Sequence, residues 1–319
     1  MPGVNAPAPT PTPALHLGLD AGGTQTRWAL ADAAGRVVAE GSAPPLSGLM
    51  LLDPAGRATL RAALQGLAAA LPAGRVLRSA WAGLTGLDEV LAPVMAQALG
   101  GVLALPPAAV RVCADIELAC RAAFAPGEGV LLVAGTGAIA AVLGADGTLH
   151  RAGGRGAIID DAGGGHWIAR EALRLVWRLE DAAPGQGGAT PLGRALAQAV
   201  GGEDWAATRA FVYGASRGEM GTLALAVAAA AEAGDAAALG LLQQAGVELA
   251  RLVQALHGRL GAALPVALAG RVWTLHPAVE AALCAALPGV AVSHSPGAAH
   301  AAAARLAAAA NPPTEHEPR

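Results

Sequence analysis

Two stretches of the chain alternate between hydrophobic and polar residues at the two-residue spacing that is typical of β-strands. The first begins at Leu15 with LHLGLDAGG and continues as TQTRWALAD and RVVAEGS. The second reads GVLLVAGTG, AIAAVLGAD and TLHRAGG. Because glycine-rich turns separate the strands within each stretch, the pattern predicts two three-stranded meanders.

Helical spacing follows each meander. Residues 53–71 carry leucines three to four positions apart, and further helices are predicted over 87–99 and 116–124, with strands over 77–83 and 110–115. Beyond Gly163 the pattern is almost entirely helical, apart from LPVALAG and GVAVSHS, which predict strands. Two meanders, each followed by helices, predict a duplicated α/β architecture.

The same pattern predicts the domain organisation. Residues 1–14 are rich in proline and are expected to form a disordered leader. Residues 15–125 are expected to form the first domain and residues 126–310 the second, with the last helix packing back on the first domain. Residues 311–319 are expected to form a frayed tail.

The amino-acid composition excludes several classes of function. The chain has 319 residues with a net charge of −3, and all 21 basic residues are arginine. Without lysine, a Walker-A or Schiff-base mechanism is excluded, and the scattered arginines do not predict nucleic-acid binding. The leader lacks the features of a signal peptide, the alanine-rich stretches predict soluble helices, and three unclustered cysteines fit a reducing cytoplasm.

A candidate phosphate-binding turn lies at the end of the first predicted strand. Asp20 is followed by Gly22, Gly23, Thr24 and Thr26. Glycines let the backbone approach a phosphate, successive N–H groups form an anion-binding nest, and a carboxylate at the strand end is suited to Mg²⁺. Taken alone, the segment could also be an ordinary β-hairpin turn, although phosphate binding is favoured.

The second meander repeats this arrangement at Gly135, Thr136 and Gly137. Two such turns at matching points of two meanders predict two loops that face one nucleotide across a cleft.

With these turns in place, the chain resembles the actin-like ATPase superfamily of sugar kinases, heat-shock chaperones and actin. Within it, the sequence is similar to the BadF/BadG/BcrA/BcrD ATPase family and its N-acetylglucosamine and glucosamine kinase branch. The similarity is carried by GGRGAIIDDAGGGHWIAREAL from Gly153 to Leu173, by AEAGDAAALGLLQQAGVELARLV and by ALAGRVW. The resemblance implies ribonuclease H-like domains, use of ATP and Mg²⁺, and a homodimer.

The resemblance also implies roles for particular residues. Asp115 matches the general base of related sugar kinases, although an Asp at a helix N-terminus is also a common cap. Asp161 and the loop formed by Gly154, Arg155 and Gly156 match sugar-binding positions. Adenine or ribose contacts are implied for three further residues: Gly221, Gly270 and Arg271.

Some positions depart from the family pattern. The segment GDEGS of relatives reads DDAGG here, the family's sugar-binding Asn has only Ser47 as a nearby substitute, and Arg155 replaces an aromatic. His166 also replaces an aromatic and is interpreted as structural. Arg155 is expected either to pair with Asp160 or Asp161, or to bind an acidic group on the substrate.

Three functions therefore stay open: an amino-sugar kinase acting at O6, a BadF-type activator, and a non-catalytic ATP-dependent regulator. The activator would need cysteines to hold a [4Fe–4S] cluster, and the three cysteines lie outside the Cys-Gly context that such a cluster needs. The kinase is favoured because Asp115 and both turns are present.

Overall fold

The computed structural model describes residues 14–311, so most of the predicted leader and tail lie outside the described residues. The first part of the chain contains five strands and three helices, which are β1 (Ala14–Ala21), β2 (Thr26–Ala31), β3 (Val37–Ala43), α1 (Pro54–Ala70), β4 (Val76–Leu84), α2 (Ala92–Leu103), β5 (Val110–Ala114) and α3 (Asp115–Ala123).

The remaining part is mostly helical. Its elements in chain order are β6 (Val130–Ala134), β7 (Ala138–Leu143), β8 (Leu149–Gly153), α4 (Gly165–Ala182), α5 (Gln186–Ala189), α6 (Pro191–Val200), α7 (Trp205–Gly214), α8 (Arg217–Thr222), α9 (Ala224–Glu232), α10 (Ala236–Leu260), β9 (Val266–Ala269), α11 (Pro277–Ala286), β10 (Val292–His294) and α12 (Ala299–Ala309).

The two sheets have the same topology. The strand order is β3-β2-β1-β4-β5 in the first sheet and, read from its other edge, β8-β7-β6-β9-β10 in the second. In each, three antiparallel strands are extended by two parallel ones. The predicted duplicated α/β architecture is therefore confirmed.

One helix prediction is wrong at its boundaries. The helix expected over 87–99 is α2, which begins at Ala92 and ends at Leu103. Asp88 holds the preceding segment in a turn, because its side chain accepts a hydrogen bond from the Leu91 N–H at 2.8 Å. Pro93 then occupies the first turn, where its missing N–H is not needed.

The chain divides into two compact units. Unit 1 holds the described residues up to Ala122 together with those from Gly297 onwards, and unit 2 runs from Ala123 to Pro296. The core of unit 1 is built mainly from leucines of β1, α1, β4 and α2, such as Leu19 and Leu67. Each fully buried leucine contributes roughly 2 kcal/mol through removal of apolar surface from water.

Helix α12 covers the other face of the first sheet within unit 1. It approaches β1 so closely that a methyl group at Gly18 would collide with backbone atoms of His300 and Ala304. A buried chain of hydrogen bonds anchors its end: the Ser79 hydroxyl donates to the Ala307 carbonyl at 3.0 Å and lies 2.7 Å from His16 Nδ1. Small side chains therefore permit this contact, and a polar network fixes its register.

The core of unit 2 lies between its sheet and the helices α4, α9 and α10, with Leu132, Ile168 and Leu249 fully buried. The start of helix α4 lies against the β6–β7 turn, where the Gly165 N–H donates to the Gly135 carbonyl at 2.8 Å. This contact places the first turn of α4 directly on the second candidate phosphate turn.

Candidate functional site

In unit 1, three polar side chains meet at the carboxyl ends of the parallel strands. Asp20 lies at the end of β1, Thr85 follows β4, and Asp115 follows β5. The strand register brings them to one edge, because Ala21 pairs with Leu84, which in turn pairs with Ala114. This is the edge at which open α/β sheets bind their ligands.

Both carboxylate oxygens of Asp115 accept hydrogen bonds. The Thr85 hydroxyl donates to Oδ2 at 2.5 Å, and the Ile116 N–H donates to Oδ1 at 2.7 Å. Asp115 is the first residue of α3 and half-buried, so it holds a fixed orientation without capping the second or third N–H of the helix. The sequence did not single out Thr85, since a lone Thr after a strand carries no motif.

The negative charge of the Asp20 carboxylate is partly buried, and neighbouring positive charges do not fully offset the cost of that burial. Burial raises the pKa of Asp20, the nearby Asp115 carboxylate adds to the rise, and Arg27 and His300 act in the opposite direction. A partly desolvated carboxylate beside a second one favours a bound cation, and Mg²⁺ is usually held by one or two carboxylates together with phosphate and water. The residues present therefore fit the predicted magnesium site.

The β1–β2 turn has the predicted tight geometry. The Gly22 N–H donates to the Gln25 carbonyl at 3.1 Å, and Gly23 and Thr24 are exposed. Thr26 differs from its predicted role as a phosphate ligand. It is the first residue of β2 and fully buried, and its hydroxyl has no hydrogen-bond partner among residues 14–311. The strand pleat turns this side chain inwards, so its hydroxyl does not reach solvent.

In unit 2, the second candidate turn joins β6 to β7. The Gly135 N–H donates to the Gly137 carbonyl at 2.9 Å, and the Thr136 carbonyl accepts from the N–H of His166 at 3.0 Å. Gly164 touches Gly137 and Thr136 so closely that a side chain there would collide with their backbone. The turn is thus fixed by the start of α4.

A pocket opens beside this turn, within unit 2. Four residues that the sequence marked as nucleotide contacts line it, namely Gly135, Thr136, Gly221 and Arg271. The remaining lining was not predicted and comes from α4, α8, α9 and the segment after β9: Gly165, Gly218, Thr222, Ala224, Leu225, Val272, Thr274 and Leu275. A concave site with mixed apolar and polar walls is typical of small-molecule binding.

Gly270 lies next to the pocket-lining Arg271. Its φ angle is +94°, a region that favours glycine, and a methyl group there would collide with the Ala134 backbone. The absence of a side chain lets the chain leave β9 tightly against the end of β6. Gly270 therefore shapes the pocket wall from outside the lining.

The predicted sugar-binding loop has a conformation that depends on glycine. Gly154 and Gly156 have φ angles of +66° and +87°. Asp161 is only 2% exposed and also has a positive φ, of +66°. One of its oxygens accepts the Gly156 N–H at 3.3 Å, and the other pairs with Arg217. Asp161 does not cap α4, whose N-cap is Gly164.

The expected ion pair of Arg155 is wrong. Asp161 pairs with Arg217, and Asp160 pairs with Arg251 at 3.3 Å. Within the described part of the chain, Arg155 has no ion-pair partner, and its side chain is exposed. Ser47 is also occupied, since its hydroxyl donates to the Thr85 carbonyl at 3.0 Å and accepts from the Leu49 N–H at 3.2 Å.

His166, in the first turn of α4, is half-buried. Burial lowers the pKa of His166, and the charges of Arg170 and Arg217 lower it further, whereas Asp161 acts in the opposite direction. The surroundings of His166 therefore favour the neutral imidazole. Between residues 14 and 311, no group of three or more metal-ligating side chains occurs, and no helix is long and apolar enough to cross a membrane.

The two sheets share one topology, and in unit 2 a glycine turn packs on the start of a helix beside a pocket. These features are those of a nucleotide-binding protein of the duplicated α/β class. The model of the BadF/BadG/BcrA/BcrD ATPase family matches residues 17–304, so the chain belongs to this family. The predicted family is confirmed.

Solved structures agree with this assignment. A candidate N-acetylglucosamine kinase from Chromobacterium violaceum is 28% identical, with 93% of this chain and 100% of that chain covered and a TM-score of 0.71. One from Porphyromonas gingivalis is 19% identical over 88% and 94% of the two chains, with a TM-score of 0.64.

A ROK family glucokinase from Streptomyces griseus, solved with glucose and AMPPNP, is 16% identical over 93% and 99% of the two chains, with a TM-score of 0.54. These likenesses confirm the predicted actin-like fold. No curated protein matches the chain.

Proposed function

We propose that this protein transfers the γ-phosphoryl group of ATP to a hydroxyl group of an amino sugar, the O6 of glucosamine or N-acetylglucosamine, with Asp115 as the general base. The observation that carries the proposal is the pocket in unit 2, because four of its lining residues were singled out from the sequence as nucleotide contacts. Membership of an ATPase family and the likeness to a candidate N-acetylglucosamine kinase support it.

The pocket suits adenosine. Apolar contacts for the adenine ring are available from Val272, Leu275 and the exposed Leu225. Arg271 also lines the pocket. The backbone of the Gly135–Gly137 turn can then approach the phosphates without interference from side chains. In unit 1, Gly23 and Thr24 of the β1–β2 turn are exposed, so the backbone of that turn is also open to an anion.

Asp115 supplies the acid–base step. The sugar hydroxyl loses its proton to the Asp115 carboxylate as its oxygen bonds to the γ-phosphorus, and the bond from that phosphorus to the bridging oxygen breaks to leave ADP. The Thr85 hydroxyl and the Ile116 N–H orient the carboxylate while it waits for the proton. Mg²⁺ neutralises phosphate charge when bound, and Asp20 is the residue that would hold it, directly or through water.

Two side chains that could bind neutral sugar hydroxyls are already engaged, each within its own unit. Ser47 is engaged with Thr85 and Leu49, and the carboxylate of Asp161 with Arg217 and Gly156. Arg155 is exposed and has no ion-pair partner within residues 14–311. We therefore include an acidic amino sugar among the substrates to be tested, because a guanidinium can bind a carboxylate through two hydrogen bonds.

The test is a phosphorylation screen with purified protein, Mg²⁺ and ATP over glucosamine, N-acetylglucosamine, N-acetylmuramic acid and glucose. We expect ADP release that depends on one of the amino sugars and a sugar monophosphate as product. ATP hydrolysis that is independent of every sugar, or ATP binding without turnover, would contradict the kinase. If Arg155→Ala left the KM for the acidic sugar unchanged, only the proposed role of Arg155 would be excluded, and the kinase proposal would stand.

The ATP-binding part of the proposal is tested separately by a substitution that narrows the pocket in unit 2. At Gly221, an added Cβ would lie 3.3 Å from the Thr136 methyl group, so Gly221→Val places two further methyl groups at the pocket wall. We expect ATP affinity to fall at least about tenfold, equivalent to about 1.4 kcal/mol, by isothermal titration calorimetry. Gly214→Val is the matched control, because an added Cβ there meets nothing within 4 Å. Equal affinities in both variants would exclude this pocket.

A further inference from the structure

Phosphate groups of a nucleotide need positive charge, and this chain has no lysine to provide it. All 21 basic residues are arginine. Around the pocket in unit 2, Arg271 forms part of the lining, and Arg217 directly precedes the lining residue Gly218. Arg217 was not among the residues that the sequence singled out, since an arginine at the start of a short helix carries no motif.

Arg217 lies against the Gly135–Gly137 turn. A methyl group at Gly137 would collide with the Arg217 guanidinium and with the Asp161 carboxylate. The guanidinium is therefore in van der Waals contact with the glycine whose backbone closes the turn. Only glycine at this position leaves room for the charge to approach the N–H groups that the turn offers to an anion.

The pair formed by Arg217 and Asp161 is asymmetric. Nη2 of Arg217 pairs with Oδ2 of Asp161, and the Asp161 side chain is 2% exposed, whereas that of Arg217 is 51% exposed. A guanidinium has five N–H donors. The remaining donors of Arg217 have no hydrogen-bond partner within residues 14–311, so the buried carboxylate holds one end of the guanidinium while the other end stays open.

Asp161 is itself held in place. Its second oxygen accepts the Gly156 N–H at 3.3 Å, and its backbone adopts a left-handed φ that non-glycine residues rarely adopt. A residue kept in such a conformation while both oxygens are bonded is well suited to fixing the orientation of a partner. The carboxylate also offsets the charge of Arg217 when no anion is present.

From these contacts, and on the basis of the ATP binding proposed above, we propose that Arg217 binds a phosphate group of the nucleotide in unit 2 and that Asp161 is its positioning residue. Arg217 then takes the place of the lysine that P-loop proteins use, with planar donors in place of a point charge. Asp161, which the family resemblance assigned to the sugar, serves the phosphate through Arg217.

The experiment compares adenosine with ATP, because adenosine has the base and the ribose but no phosphate. Binding of each to the full chain is measured by calorimetry for the wild type and for Arg217→Ala. We expect ATP affinity to fall roughly 10- to 100-fold, as for the loss of a hydrogen bond to a charged group, and adenosine affinity to stay unchanged. Arg217→Lys should restore part of the ATP affinity, and Arg209→Ala, at an exposed arginine of α7, controls for net charge.

A second variant covers the chance that Arg217→Ala fails to fold with Asp161 buried and unpaired. Arg217→Met combined with Asp161→Asn removes both charges and should show the same selective loss of ATP affinity.

An equal loss for adenosine and ATP, or no loss for either, would overturn the role of Arg217 while leaving the proposed function intact. A wild-type protein that binds neither ligand would overturn both.

Discussion

At the scale of single residues, Asp115 is the group on which the proposed chemistry depends. Its two oxygens are held by Thr85 and by the Ile116 N–H, which fixes its direction at the end of β5. The alternative of a simple helix cap does not account for the bond from Thr85. The carboxylate is thus bound by a side chain from a neighbouring strand end, as a positioned base would be.

Asp115→Asn tests this role. It keeps the shape of the side chain but cannot accept the proton, so we expect kcat for the sugar substrate to fall by about 10²- to 10⁴-fold. ATP affinity should be nearly unchanged, as measured by calorimetry. Glu117→Gln is the matched control, because Glu117 lies on the same helix and pairs with Arg121 at 2.9 Å. Full turnover in the Asp115 variant would show that the base lies elsewhere.

Asp20 yields a prediction about pH. Because burial raises the pKa of its carboxyl in the folded state, the folded protein favours the neutral form. That contribution is fully present below the unfolded pKa and is lost as the pH rises through the folded pKa. Asp20→Asn should therefore be more stable than the wild type to urea at pH 7, and the difference should shrink as the pH falls towards acid values.

Asp32 provides a control of opposite sign. A hydrogen bond from the Arg36 N–H, together with the Arg36 side chain and the Ala34 N–H, lowers the pKa of Asp32. The stabilisation from Asp32 is present above its unfolded pKa and is lost as the pH falls through its folded pKa. Asp32→Asn should therefore be less stable than the wild type at pH 7. Parallel behaviour of the two variants would show that burial of Asp20 is not the dominant effect.

At the scale of elements, glycines repeatedly allow the backbone of one element to approach the backbone of another closely. Gly18 admits α12 to β1, Gly164 admits the start of α4 to the β6–β7 turn, and Gly246 admits α10 to the Val279 carbonyl region of α11. An alanine- and glycine-rich composition is thus used for packing helices close to their neighbours. Two glycines of the candidate turns, Gly23 and Gly135, are different, because they face open space.

The contact between α12 and β1 is tested by Gly18→Ala. The added methyl group would collide with backbone atoms of His300 and Ala304, which cannot move independently of the helix. We expect the free energy of unfolding to fall by about 3 kcal/mol, as for an overpacked core. Gly101→Ala in α2 is the control, because the methyl group there meets nothing within 4 Å. A Gly18 variant as stable as the control would mean that α12 is loosely held.

Elements were predicted from the sequence with uneven success. The meanders and the strand ends that carry Asp20 and Asp115 follow from alternation over a few residues, which is a local signal. The start of α2 was missed because it depends on the Asp88 side chain, which bonds the Leu91 N–H and delays the helix. Thr26 was misjudged because its position in a turn motif says nothing about which way the strand pleat directs its side chain.

At the scale of the whole molecule, the family includes ATPases that are not kinases, so the cysteines matter. Burial, followed by the Glu117 carboxylate, raises the pKa of the Cys113 thiol to about 12. Cys120 is buried, and burial and Glu280 raise the pKa of the exposed Cys284. Iron–sulfur clusters are held by thiolates, which these environments disfavour.

We therefore expect protein purified without oxygen to be colourless and to contain no stoichiometric iron or acid-labile sulfide. The measurement is visible absorption together with iron and sulfide analysis, and Cys284→Ser serves as a control for adventitious metal at the exposed thiol. Iron and sulfide that co-purify in the ratio of a cluster would favour the activator instead, whereas iron without sulfide that is lost in Cys284→Ser would be adventitious.

By itself, the sequence determined the class of this protein: the duplicated α/β fold, the family, both glycine turns and four of the residues that line the pocket in unit 2. These depend on short-range patterns, because strand alternation and turn glycines are read within a few positions. Only the tertiary structure decided which side chains are paired. In the structure, Thr85 forms a hydrogen bond with Asp115. Arg217 forms an ion pair with Asp161 and Arg251 with Asp160, and Arg155 is exposed. Such pairs join residues 30 to 91 positions apart in the chain, and their choice depends on the packing of strands and helices rather than on any local signal.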